Sequence, residues 1–177
     1  MKKNLIAVAV LASSVFAVTA AAAADGQVDF VGKITDDACV VTNDVGSPLQ
    51  VKLGEVARTS FNVGGTPTAG IKSSATNFVI KLTGCPLAAT KASVKFDGTA
   101  VDGDNTVLAL AAGGATGVGI QLSDDTNAVV PLFTASKSYD LAVGDNDLNF
   151  VARYISTSNV ISAGVANSTA SFTLNYN

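Results

Sequence analysis

Gly26-Gln27-Val28-Asp29-Phe30-Val31-Gly32-Lys33-Ile34 alternates on one parity. Val28, Phe30 and Ile34 share a face with Gly26 and Gly32, while Gln27, Asp29 and Lys33 take the other. A period of two marks a half-buried strand, because successive side chains point to opposite faces. No Asn-Gly or Asp-Gly turn pairs this segment with a following strand. It is therefore either the first strand of its own sheet or an arm that completes the sheet of another molecule.

What precedes it reads as a leader. Met1-Lys2-Lys3 is followed by the apolar run Leu5 to Ala12, and small residues from Ala20 to Ala24 close the stretch. Two lysines, a short apolar core and small residues make a secretory signal peptide and not a membrane span. The cut falls after Ala21, Ala22 or Ala23, so residues 1–23 are assigned to the signal peptide. Losing Lys2 and Lys3 takes the formal charge from −3 to −5. No basic surface remains to draw nucleic acid or anionic lipid. Roughly 150 residues are left, enough for one domain with one core. With 48% hydrophobic and 14% charged residues, the chain is too apolar for a disordered protein.

Both cysteines, Cys39 and Cys85, lie beyond the leader. A cysteine pair in an exported chain reads as a disulfide. A zinc site is the poorer reading, since the chain has no His and two thiolates do not fill a tetrahedral set.

Working outward from the first segment, short alternating runs recur between turn signals. Cys39-Val40-Val41 is followed by the turn cluster Asn43 to Pro48. Leu49, Val51 and Leu53 then alternate, and Gly64 to Gly70 is a loop. Phe78, Ile80 and Leu82 lead to Gly84-Cys85-Pro86. Val94 and Phe96, Leu108 and Leu110, and Val118, Ile120 and Leu122 define three more strands. After Asp124-Asp125-Thr126-Asn127, residues 128–133 are expected to pair back on the preceding strand, with Pro131 at an edge or end. Leu148, Phe150, Ala152 and Tyr154 form the longest alternation. Ala170, Phe172, Leu174 and Tyr176 carry the last one to the end of the sequence. No segment after the leader keeps a helical period. Short strands with Gly, Pro and Asn turns predict an all-β sandwich.

Catalytic chemistry has little to rest on. The usual general base is missing with His, and the disulfide consumes both thiols. The aspartates Asp36-Asp37, Asp97, Asp102, Asp104, Asp124-Asp125, Asp145 and Asp147 fall in turns, where Asx hydrogen bonding explains them. Asp102-Gly103-Asp104-Asn105 lacks the spacing and terminal Glu of a calcium loop. Gly113-Gly114-Ala115-Thr116-Gly117 has no following Lys and no helix to cradle a phosphate. No catalytic, cofactor-binding or metal-binding residue is assigned, and no cofactor is expected.

The two ends complement each other. The last strand stops at Asn177 with no return strand, so a groove beside Phe172, Leu174 and Tyr176 would expose apolar surface and unpaired backbone. The segment 26–34 is a strand to spare. A chain lacking one strand and carrying one can join head to tail, a heterologous contact that propagates as a fibre.

These landmarks give the sequence its likeness. The segment Val28 to Ile34 leading to Cys39, the Gly84-Cys85 pair, and Leu148-Asn149-Phe150-Val151-Ala152-Arg153-Tyr154 occur in that order. Gly164 stands fourteenth from the end, and Ala170-Ser171-Phe172-Thr173-Leu174-Asn175-Tyr176-Asn177 has a penultimate Tyr. Together they resemble a fimbrial subunit of the chaperone–usher class, similar to the type 1 major pilin family. The resemblance implies an incomplete immunoglobulin-like β-sandwich of Greek-key type that lacks its last strand and is completed by donor-strand exchange. It implies a donor-strand extension at 24–36 and a pilin domain at 37–177. Gly26, Val28, Phe30, Gly32 and Ile34 would enter the groove of a neighbour. Gly164, Ala170, Phe172, Leu174 and Tyr176 would meet a chaperone or an incoming strand. The implied partners are copies of the same chain, other fimbrial subunits, a periplasmic chaperone and an outer-membrane usher, with no nucleic acid. The chain would pass through the periplasm to a bacterial surface fimbria and support adhesion. Strand donation between pilins and their chaperones is an established form of strand addition. Two other readings are an outer-membrane β-barrel, which needs aromatic girdles this Trp-free chain lacks, and a small secreted carbohydrate-binding sandwich.

Overall fold

A computed structural model describes residues 28–32, 38–44 and 46–176. Residues 1–27, 33–37, 45 and 177, Gly26 and Ile34 among them, lie outside the described residues. The chain divides into two units, 1–34 and 35–177. In the first, residues 28–32 belong to no strand, and Val28, Phe30 and Val31 are 74%, 94% and 97% exposed.

Among the described residues of the second unit the regular elements are strands and one 3-10 turn, Arg58–Phe61. In chain order the strands are β1 (Val40–Val41), β2 (Asn62–Val63), β3 (Thr66–Pro67), β4 (Thr76–Cys85), β5 (Lys91–Gly98) and β6 (Ala100–Val101). They continue with β7 (Asp104–Ala109), β8 (Val118–Asp124), β9 (Tyr139–Asp140), β10 (Gly144–Ser156) and β11 (Ala170–Tyr176). One sheet runs β1-β4-β10-β8-β7-β6 and the other β11-β5-β9, with β2 and β3 as a separate hairpin. Each of these pairings is antiparallel.

The predicted alternations at 77–85, 93–96, 106–110, 118–122, 148–154 and 170–176 all become strands because their apolar rows have somewhere to go. Ile80, Leu82, Leu148, Phe150 and Ala152 come from the large sheet; Val94 and Phe96 come from the small one. All are buried in a single core. Aromatic rings tie the layers together. Phe96 of β5 meets Phe150 of β10 edge to face at 5.2 Å, and Phe78 of β4 approaches Phe96 at 6.3 Å. Tyr139 of β9 lies 5.5 Å from Phe150. Such pairs add about 0.5–1.5 kcal/mol beyond the area they bury.

Two expectations need correction. Leu49, Val51 and Leu53 alternate as predicted, and Val51 and Leu53 pack on the core, but residues 48–57 join no sheet. Residues 128–133 pair back on β8 as expected only as far as Val130, through an antiparallel bridge of Val129 with Ser123, and form no full strand there. Asp124 and Val130 bond across the turn (Asp124 N–H to Ala128 O, 2.9 Å; Val130 N–H to Leu122 O, 3.0 Å). Beyond Pro131 the chain changes layer, and Phe133 and Ser136 donate to Phe96 O and Val94 O at 2.8 Å each. Proline removes the donor that a continued ladder on β8 would need. Phe133 makes the crossing at φ 65°. Within the Gly64–Gly70 loop, Gly64-Gly65 turns the short hairpin β2–β3.

Candidate functional site

The site is a flank of the sandwich where backbone and apolar side chains lack a neighbour. β11 pairs with β5 on one side, in the register Phe172 to Phe96, Leu174 to Val94 and Tyr176 to Ala92. No described strand pairs with its other side. The consequence shows in burial. Ala92, Val94 and Phe96 are 0%, 0% and 4% exposed. Their partners Tyr176, Leu174 and Phe172 are only half-buried, although they face the same core.

Across the gap lies the edge of the other sheet. β4 sits over β5 through Phe78 and Phe96, and β10 meets β9 through Phe150 and Tyr139, so the strands at the other flank, β1 and β11, fall on the same side of the sandwich. β1 pairs with Leu82 and Thr83 of β4 and Thr42 N–H reaches Lys81 O at 3.1 Å, but residues 48–56 that follow make no backbone hydrogen bond to either sheet. Two borders with unpaired backbone thus face one core. Exposed polar backbone over an apolar floor is the template for an added strand.

Tyr176 spans the two borders at one end. Its hydroxyl accepts a hydrogen bond from the backbone N–H of Cys39. Burial pushes the phenol above its ordinary value, and the Cys39 N–H offsets part of that rise. Cys39 is joined to Cys85 by a disulfide across a sequence separation of 46, so the anchor of Tyr176 is itself covalently fixed to β4. The flank carries no charge from β11, since no Asp, Glu, Lys or Arg follows Arg153.

The remaining sequence-assigned residues divide. Val28 and Phe30 are exposed in the first unit, and a Cβ built on Gly32 would meet nothing within 4 Å. Gly26 and Ile34 lie outside the described residues. Ala170 opens β11 opposite Gly98. Gly164 sits in the β10–β11 connection, where a Cβ would come within 2.7 Å of Ala115 N and 2.8 Å of Gly114 C. Its immediate neighbour is the Gly113–Gly117 turn. Gly114 is as tightly held, since a Cβ there would lie 2.0 Å from Val165 O. The sequence signal for the turn was its glycine density, which reads as a loop and not as a packing surface. The border at 48–56 was legible as an alternating run, but nothing in sequence says that such a run has no partner.

The fimbrial protein family matches residues 28–177. The chain belongs to the fimbrial protein family. The A chain of the type-1 fimbrial protein of Escherichia coli strain K12 is 40% identical over 189 residues, covering 99% of this chain and 100% of the relative. The Burkholderia pseudomallei antigen and type I fimbria protein, solved by crystallography, is 37% identical. It covers 80% of this chain and 91% of its own, with a TM-score of 0.61. A subunit in the structure of a chaperone–usher pilus is 22% identical, with a TM-score of 0.65 over 87% of this chain and 96% of that one; it shares the fold. This fimbrial subunit therefore has the incomplete immunoglobulin-like sandwich of chaperone–usher pilus subunits. It is a structural subunit of a fimbria.

Proposed function

We propose that this fimbrial subunit polymerises head to tail, the arm at 24–36 of one copy filling the open flank of the next. The observation that carries the reading is the mismatch across the β5–β11 ladder: the β5 row is sealed, while Phe172, Leu174 and Tyr176 opposite it remain half-open. Val28, Phe30 and Ile34 supply the missing apolar row. Each would contribute about 1.5–3 kcal/mol when buried, and each new main-chain hydrogen bond about 0.5–1.5 kcal/mol. Gly32 brings the incoming backbone close to the floor where no side chain fits. The incoming strand has unpaired backbone on both sides, β11 and 48–56, so it can be held by two ladders.

The same flank must be covered before assembly, because exposed edges aggregate. A periplasmic chaperone occupies it in this reading, delivery is through an outer-membrane usher, and the finished fibre stands on the cell surface and supports adhesion. The domain boundaries 1–23, 24–36 and 37–177 follow from the same division of labour. The test is Phe30→Asp in otherwise normal cells. Loss of surface fimbriae with continued recovery of the subunit in complex with its chaperone supports the proposal. Fimbriae in normal number would overturn it.

A further inference from the structure

Exposed apolar side chains cluster at opposite ends of the sandwich. At one end, Gly144 of β10 pairs with Cys85 of β4. Leu87 follows Cys85 in the turn closed by Ala89 N–H to Pro86 O, and Val143 precedes Gly144. These two side chains are 80% and 65% exposed. The turn 86–90 and the connection 141–144 contain no charged residue. At the other end, Ser156 of β10 pairs with Val118 of β8. There the β10–β11 connection lies backbone to backbone on the turn 113–117, with Ala115 N–H to Val165 O at 2.8 Å and Ser162 N–H to Thr116 O at 3.2 Å. Val160 and Val165 project from it, 76% and 65% exposed, and residues 105–123 and 154–177 hold no charge. The 13 residues of β10 separate the two ends by roughly 40 Å.

The chain length between arm and domain says how these ends meet, an argument that rests on the head-to-tail reading. β11 runs from the Val165 end, where Ala170 faces Gly98, to the Leu87 end, where Tyr176 faces Ala92. The named strand pairings are all antiparallel. An arm added antiparallel to β11 places Ile34 beside Ala170 of the acceptor. Ile34 is five residues from Cys39, a span of at most about 17 Å. Cys39 is bonded to Cys85, two residues from Leu87. The donor's Leu87 end is therefore tethered within reach of the acceptor's 157–169 connection. We infer that the Leu87–Val143 end of each subunit docks on the Val160–Val165 end of the subunit that holds its arm. The partner is a second copy of this chain, and the contact is a second interface, separate from the groove. It is heterologous and open-ended, as a fibre requires.

Photo-crosslinking in assembled fimbriae tests it. A benzophenone amino acid is placed singly at Leu87, at Val160 and at Phe30, and cross-linked peptides are mapped by mass spectrometry. The Leu87 probe is expected to reach residues 157–168 or 113–117 of another copy, and the Val160 probe residues 86–90 or 141–144. The Phe30 probe, expected at β11 or β5, reports on the groove separately. Groove links from Phe30 with no inter-subunit link from Leu87 and Val160, or with links joining like ends, would overturn the end-to-end contact and leave the groove reading intact. Failure of the Phe30 probe to reach β11 or β5 would overturn the groove reading, and with it the tether on which this contact stands.

Discussion

The hydroxyl of Tyr176 accepts a hydrogen bond from the backbone N–H of Cys39, so the last side chain of β11 is fastened to the residue that opens the opposite border. Tyr176→Phe keeps the ring and removes the acceptor. The expected cost is about 1 kcal/mol in denaturant unfolding of the purified subunit. Tyr176→Ala also removes half-buried ring surface and should cost more, with a lower yield of chaperone complex on co-purification.

The glycines separate folding from assembly. Gly32→Leu adds a side chain where nothing lies within 4 Å, so subunit stability should change by less than about 0.5 kcal/mol. In the groove of a neighbour the same side chain has no room, and fimbriae seen by electron microscopy should disappear. Gly114→Ala is the reverse. Its Cβ would lie 2.0 Å from Val165 O, and the loss should reach or exceed the upper end of the roughly 1–3 kcal/mol typical of overpacking. Recovery of soluble subunit reads both.

Removing the Cys39–Cys85 bridge, with its sequence separation of 46, should cost roughly 4 kcal/mol in the chain-entropy account. It would also free the anchor of Tyr176. In the Cys39→Ser/Cys85→Ser variant, Tyr176→Phe should therefore cost less than in the parent, a coupling that a double-mutant cycle measures.

Stability should fall in alkali. Tyr139, Tyr154 and Tyr176 are all pushed above the ordinary phenol value, chiefly by burial; Asp125 and Asp124 add to the rise at Tyr139. Tyr139 donates its proton to Asn149 O at 3.1 Å, and Tyr154 to Ala166 O at 3.0 Å. With the folded value above the unfolded one, these groups contribute full stability below the unfolded value of about 10 and lose it as pH rises through the folded values. Unfolding midpoints measured from pH 8 to 12 should hold and then drop beyond about 10, less steeply in Tyr139→Phe.

Much of this fold can be read from period-two rows, because burial on one face leaves that pattern wherever a strand has a core beneath it. Phe78-Ile80-Leu82, Leu148-Phe150-Ala152 and Phe172-Leu174-Tyr176 are such rows. Pairing is harder to read, since hydrogen bonds between backbones leave no mark in side-chain type. Residues 48–56 alternate as a strand does yet have no partner, and residues 128–136 leave one sheet for the other at Pro131. The tight fit of Gly114 and Gly164 against each other's loops depends on two segments far apart in sequence. A glycine that turns the chain and one that admits another backbone are written with the same letter.

The central claim is that the sandwich is completed by the arm of another copy, and transplanting that arm tests it. Residues 24–36 are moved from the N-terminus to a short flexible linker after Asn177, so that one chain carries both strand and groove. The account predicts a soluble monomer whose denaturant midpoint far exceeds that of the same chain with the arm deleted, a gain abolished by Phe30→Asp in the transplanted segment. An arm-deleted chain as stable as the transplant would contradict it.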